Sequence, residues 1–166
     1  MRLNDTLIDH VVLALIAESP QHGFAIARTL ANDPELSVAV TISRPLVYRS
    51  IDTLSASGLI CPHRTEPGTR GTRRVVYRIT PRGTRANDAW LDAIVDTPRD
   101  ARVDLVTKFI LRTRRGLTNR GLAKRQMKHF APLSTKLSST DSSGLVAMWR
   151  QETLDATMRA LARIAG

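Results

Sequence analysis

Ser43, Arg44, Pro45, Tyr48 and Arg49 fall within seven consecutive residues. Their side chains suit phosphates and base edges better than bond-making chemistry. An arginine guanidinium can donate two hydrogen bonds to O6 and N7 of guanine, worth about 1–3 kcal/mol of discrimination against the wrong base. Arg44 is the first candidate for such a contact and Arg49 the second; for either, phosphate or solvent is the bland alternative. Ser43 suits a helix cap or a phosphate contact. Tyr48 can bond a phosphate through its hydroxyl or pack against the segment that follows. Further along, Arg64, Arg70, Arg73, Arg74, Arg78, Arg82 and Arg85 face a single acid, Glu66. Arg70, Arg73 and Arg74 are the candidates there for phosphate or minor-groove contact, against a solvated run of charge.

Catalytic and metal chemistry find no comparable pattern. There is no Gly-x-Ser-x-Gly, no phosphate-binding loop ending in lysine, and no pair of carboxylates on an evident shared face. His10, His22, His63, His129 and Cys61 lack metal-ligand spacing; Cys61-Pro-His63 offers two ligands, which is too few. An enzyme, a metal site and a cofactor are therefore not expected.

The elements that must carry these residues can be read in turn. From Ile42 to Leu59, Leu46, Val47, Ile51 and Leu54 fall on one side of a helix, and Ser43, Arg44, Tyr48, Arg49 and Ser55 largely on the other. Ser57-Gly58 should end it, glycine taking the left-handed cap. Ahead of it lie an amphipathic helix from Thr6 to Ala17, a turn at Gln21-His22-Gly23, a helix from Phe24 to Asn32 and an extended piece from Leu36 to Ile42 rich in β-branched residues. Behind it, Ile60–Glu66 and Arg73–Ile79 form a hairpin around Pro67–Thr72, with Val75, Tyr77 and Ile79 expected on its apolar face. Thr80-Pro81 then opens a helix running to about Val95. Helix, turn, helix and basic hairpin make a winged helix-turn-helix plan, with the polar side of the Ser43 helix aimed at a major groove.

The remainder reads as helical. Asp100–Arg114 shows Val103, Val106, Phe109 and Ile110; Thr118–Ser138 is expected to kink at Pro132; Leu145–Ala165 closes the chain after a loop at Thr140–Gly144. Thr97 and Asp100 are spaced for a capping box. Three amphipathic helices without a large core of their own need a surface to bury against, and a second copy of the chain is the simplest. The fold expected is mainly α with a small β-hairpin wing: a DNA-binding winged helix-turn-helix over residues 1–96, then a helical dimerisation region over 97–166.

Trp90 and Trp149 stand out because aromatics make up only 4% of the chain. They are either packing residues at core and dimer seam or an aromatic wall for a flat effector. The 166 residues carry a formal charge of +10 and are 42% hydrophobic, which favours a folded protein with an anionic partner, double-stranded DNA first. Beyond Val95 there are 14 Lys and Arg against 6 acids; before it, 11 against 9. Lys108, Arg112, Arg114, Arg115, Arg120, Lys124, Arg125 and Lys128 can flank DNA or simply solvate helices, and solvated faces are the expectation. No run approaches the ~18–20 apolar residues of a membrane span. A lone cysteine fits a reducing cytoplasm.

The chain resembles the PadR-type bacterial transcriptional regulators. The likeness rests on VVLALIAESPQHGFAIARTL, PLVYRSIDTLSASGLI and RRVVYRITPRGTRA, and covers roughly the first 90 residues. It implies a homodimeric repressor, dimerised through its C-terminal helices, whose repression a small molecule can relieve. Relatives often carry an aromatic residue, commonly tryptophan, just before the recognition helix; here Leu36-Ser37-Val38-Ala39-Val40 stands there, which alters any ligand site that aromatic would line. Two other readings stay open: a non-specific, architectural nucleic-acid-binding protein, and a multidrug or phenolic sensor whose dimer seam is the ligand site.

Overall fold

The first helix is enclosed on every side. α1 (Leu7–Glu18) carries six consecutive buried residues, Val11 to Ile16, so the chain folds around it rather than against one stripe of it. Leu13 and Ala14 thus join the apolar stripe expected from periodicity. The protein, described here by a computed structural model, is defined over residues 7–68, 73–139 and 144–166. It divides into two compact units, Met1–Leu91 and Asp92–Gly166.

In the first unit α1 packs against α4 (Arg44–Ala56) and the strand at Arg73–Ile79, and α2 (Gly23–Asn32) lies against α4. Between α2 and α4 the expected extended piece is instead a single helical turn, α3 (Leu36–Ala39). The Asp33 carboxylate accepts hydrogen bonds from the Glu35 and Leu36 amides at 3.0 and 2.9 Å, and Leu36 is fully buried. A ready cap and one anchored leucine outweigh the β preference of Val38 and Val40.

α4 ends as its sequence dictates. Gly58 has φ +68°, the Leu59 amide donates to Leu54 O at 2.9 Å and the Gly58 amide to Ser55 O at 2.9 Å, which is the paired closure of a Schellman cap. The hairpin follows: β1 (Ile60–Pro67) pairs antiparallel with β2 (Arg73–Ile79), from Ile60 opposite Ile79 to Pro67 opposite Arg73, with an irregularity between Pro62 and Arg64. The faces of β2 differ from expectation. Val76 is its buried residue and Val75 is exposed. Val76 shares its face with half-buried Arg74 and exposed Arg78, because side chains alternate along a strand, while Tyr77 and Ile79 on the other face are half-buried. Gln21 also bonds to Tyr77 in both directions, at 3.1 and 3.0 Å, so the turn before α2 is laced to β2. α5 (Pro81–Asp92) opens with the Gly83 amide donating to Thr80 Oγ1 at 3.0 Å, and ends three residues short of Val95.

The second unit holds α6 (Pro98–Asp100), a π-helical turn (Ala101–Leu105), α7 (Val106–Arg114), α8 (Arg120–Ser139), which continues through Pro132, and α9 (Leu145–Ala165). Thr97 Oγ1 donates to Asp100 Oδ2 at 2.7 Å, so the two bond each other and not the backbone as a capping box requires. α8 packs along α9. The unit has more of a core than periodicity indicated, built on Leu105, Phe109, Leu122, Phe130, Leu154 and Leu161. Ala101, Leu105 and Phe109 face it at i, i+4, i+8; Val103 and Val106, expected inside, are exposed as a result.

The basic residues of α7 and α8 do not all solvate their helices. The segment 92–96 is gripped by five side chains. Lys108 Nζ donates to Ala93 O at 2.8 Å; Arg112 and Arg125 both reach Asp92 Oδ1, at 3.4 and 2.7 Å; His129 Nε2 lies 3.1 Å from Asp96 O. Gln126, fully buried, accepts from the Val95 amide at 2.7 Å and donates to the Val95 carbonyl at 2.8 Å. Lys108 is 3% exposed and Arg112 9%. Burial pushes the Lys108 ammonium below its ordinary range, partly offset by Asp104 and Asp96. Burial likewise raises Asp104, helped by Asp100 and opposed by Lys108.

Candidate nucleic-acid interface

The start of α4 is an exposed polar arc. Ser43 occupies the N-cap in extended conformation, its side chain making no cap hydrogen bond, and Pro45 sits in the first turn, where no amide hydrogen is needed. Val47, Ser50, Ile51 and Leu54 form the buried stripe, at the i, i+3, i+4, i+7 spacing of a helix face. Ser43, Arg44, Pro45, Tyr48 and Arg49 are all exposed. So is Leu46, which the sequence placed inside: Val47 sets the stripe, and its neighbour lies about 100° around the helix. Unsatisfied amides and the helix dipole make such an N-terminus favourable to phosphate.

The turn before α2 organises this arc. His22 caps α2, its Nδ1 accepting from the Ala25 amide at 3.0 Å. Gly23 leaves room for Tyr48: a Cβ at position 23 would stand 2.8 Å from Tyr48 Cε1 and 3.0 Å from Ile51 Cδ1. Phe24 lies beneath two guanidiniums, with Arg44 Cζ 5.1 Å from its ring centroid and Arg74 Cζ 4.7 Å. A candidate on the helix and a candidate on the wing strand therefore meet on one aromatic ring. Nothing in the spacing of Arg44 and Arg74 announces this. The His-Gly-aromatic triplet carried the only signal, and its contacts are tertiary.

On the wing, Arg73 is exposed and Arg74 half-buried, while Arg64 is paired with Glu66 at 2.7 Å. Arg70 lies outside the described residues. Cys61 is a half-buried free thiol on β1. Among the described residues no group of three or more His, Cys, Asp or Glu could hold a metal ion.

The two tryptophans have separate settings. Trp90, in the first unit, stacks on His10 with centroids 4.6 Å apart and planes 6° from parallel. Trp149, in the second, is 71% exposed at the rim of a groove of about 500 Å³ between the π turn with α7 and α9. Leu105, Val106, Phe109, Ala156, Ala160 and Leu161 contribute to its largely apolar lining.

Residues 12–89 match the family described as the transcriptional regulator PadR-like family. Among solved structures, PadR of Bacillus subtilis in complex with operator DNA aligns at 16% identity over 96% of this chain and 98% of that one, with a TM-score of 0.52. The same bacterial protein in complex with p-coumaric acid aligns at 16% identity over 96% and 93%, TM-score 0.45. A transcriptional regulator from Clostridium thermocellum aligns at 26% identity over 49% and 74%, TM-score 0.40. No curated protein sequence matches the chain. In the described residues no helix is long and apolar enough to cross a membrane.

Proposed function

Residues 12–89 make this chain a PadR-type winged helix-turn-helix transcriptional regulator, and on that premise we propose that it is a homodimeric repressor which binds a near-palindromic operator in the cytoplasm. The observation that carries this reading is the exposed arc of Ser43, Arg44, Tyr48 and Arg49, joined to wing residue Arg74 through Phe24. Arg44 reads a base edge from the helix N-terminus. Ser43 and Tyr48 bond flanking phosphates, and Arg73 and Arg74 reach the backbone from the wing. The operator complex of the Bacillus subtilis relative, which shares the fold, supports DNA as the partner.

The first unit takes the DNA and the second joins two copies. Support for the second role is its apolar surface: Val106 and Trp149 are exposed at the α7–α9 groove, and Val103, Leu145, Val146 and Met148 are exposed elsewhere on the unit. A monomer gains nothing from wetting such a patch. Two copies would present their α4 helices to successive major grooves about 34–36 Å apart. A second reading, in which a small aromatic effector occupies the same groove beside Trp149, is favoured by the groove's volume and lining. Ligand binding there would act by favouring a form of the dimer that fits DNA less well.

The test is selection of bound sequences from a random duplex pool, with wild type and Arg44→Ala compared at fixed salt. The expected result is an inverted repeat for wild type and loss of preference at one base pair per half-site for the variant. No enriched repeat would place the protein with the architectural, non-specific binders. Sedimentation over a concentration series reads the dimer, and Trp149 fluorescence with planar phenolic acids reads the effector.

A further inference from the structure

We propose that the outer face of α8 is a second contact surface for nucleic acid: Arg120, Lys124 and Lys128 form a stripe that holds the phosphodiester backbone of a duplex and reads no sequence. The inference rests on the DNA-binding reading and adds to it a surface in the second unit.

α8 sorts its residues by helical period. Leu122, Ala123, Gln126 and Phe130 are fully buried. Arg120, Lys124 and Lys128, each four residues from the next, are exposed on the opposite side. They rise about 12 Å along the axis at 1.5 Å per residue, which spans roughly three to four nucleotides of one DNA strand. Other cations of the same unit are spent inside the chain: Lys108 holds Ala93 O, and Arg112 and Arg125 hold Asp92. Among the described residues no ion pair engages Arg120, Lys124 or Lys128.

The placement of the three works against the helix that bears them. Arg120 opens α8 and no acid stands in its first turn, so cations sit at the positive end of the helix dipole. Like charges at i, i+4 repel, so each neighbouring pair costs stability as well. Neither packing nor helix formation accounts for such a stripe. A polyanion laid along it neutralises all three charges and turns both costs into attraction. A duplex fits better than an acidic protein or a membrane. It carries one negative charge per about 1.7 Å and needs no apolar anchor. Protein interfaces centre on buried aromatic or aliphatic anchors, and membrane-surface helices insert theirs. The exposed residues from Arg120 to Lys128 are glycine and cations alone. A regulator held at its operator also meets neighbouring phosphates at high effective concentration, so individually weak contacts suffice.

The experiment compares wild type, the stripe variant Arg120→Gln/Lys124→Gln/Lys128→Gln and a control of equal charge loss, Arg99→Gln/Arg150→Gln/Arg159→Gln, which alters three exposed arginines elsewhere in the unit. Binding is measured over a salt series on a long random-sequence duplex and on the sequence that wild type enriches from a random pool. Each phosphate contact contributes about 0.9 to the slope of log K against log salt, so the stripe variant should lose about 2–3. Its affinity should fall at low salt and converge on wild type at high salt, with sequence preference unchanged. The control should keep its slope within about 1 of wild type. An unchanged slope in the stripe variant overturns the proposal and leaves the stripe to an acidic protein or to solvent. An equal fall in the control overturns it in favour of net charge. Two readouts need no DNA. The stripe variant should sediment as wild type does and melt no lower, because glutamine removes the repulsion. Failure of either shows that these cations hold the protein together, and the proposal falls. If wild type enriches no sequence while the slope still drops, the stripe stands and the repressor reading falls. If wild type enriches an operator and the slope stays, the stripe alone falls; if wild type binds no duplex, both fall.

Discussion

Replacing Gln126 by leucine isolates one pair of hydrogen bonds. Its side-chain amide is fully buried and matched to the backbone of Val95, accepting at 2.7 Å and donating at 2.8 Å. In Gln126→Leu both Val95 groups lose their partner inside the protein. Each buried orphan costs about 1–3 kcal/mol, or about 2–6 kcal/mol for the two. Burying the leucine returns about 1.5–3 kcal/mol, so the net loss is about 2 kcal/mol. For a chain of this size 1 kcal/mol moves the melting temperature by about 2–4 °C, giving a drop of about 4–8 °C. Gln126→Glu sharpens the test. At pH 7 its carboxylate can accept from the Val95 amide but cannot donate to the carbonyl, and a buried charge is added, so it should melt below the leucine variant. Protonation restores a donor; relative to wild type its deficit should shrink as the pH falls toward 4 (roughly the ordinary glutamate range). Thermal unfolding by circular dichroism reads all three proteins. Gln126→Leu melting within about 1 °C of wild type, below the shift of even 1 kcal/mol, would refute the reasoning. So would a Glu variant whose deficit ignores pH.

Gly23→Ala should leave the fold standing yet weaken DNA binding by on the order of ten-fold, since a displaced contact costs about 1–3 kcal/mol. Its Cβ would stand 2.8 Å from Tyr48 Cε1 and push an exposed ring aside. Unchanged affinity would remove Tyr48 from the interface. Asn87 is buried, and neither of its side-chain polar atoms has a hydrogen-bond partner among the described residues. Asn87→Ala should therefore raise stability by about 1 kcal/mol, through relief of the desolvated amide and better helix propensity, and urea titration would read a loss instead if the amide has a hidden role. Lys108, its pKa lowered by burial, binds its proton less tightly in the folded chain than in the unfolded one. Between that lowered value and the ordinary lysine range the unfolded chain holds more protons, so stability rises with pH across this window. Lys108→Met should flatten the rise in denaturant titrations at several pH values; identical slopes would refute the burial argument.

How much of this was legible beforehand follows the range of the interactions. Helix α4, its Gly58 terminus, the two strands of the hairpin and the Thr80 cap are set by residues within a few positions of one another, and each could be read directly. The exposed arc of Ser43, Arg44, Tyr48 and Arg49 follows from the 3.6-residue period once Val47, Ile51 and Leu54 are taken as buried. The one-turn helix at Leu36 was missed because β-branched composition pointed one way while the Asp33 cap and a buried leucine pointed the other. The burial of Val76 in place of Val75 was missed because both alternating sets of β2 contain apolar residues, and packing chose between them.

Sequence by itself determined most of the helices, the hairpin and the basic character of the wing, because periodicity, caps and turn residues act locally. Only the tertiary structure decided that Arg44 and Arg74 share the ring of Phe24, and that Lys108, Arg112 and Gln126 turn inward to hold residues 92–95. Arginine, lysine and glutamine look alike on a solvated face and on a buried one. What separates the two is whether a partner from a distant part of the chain repays the water they lose.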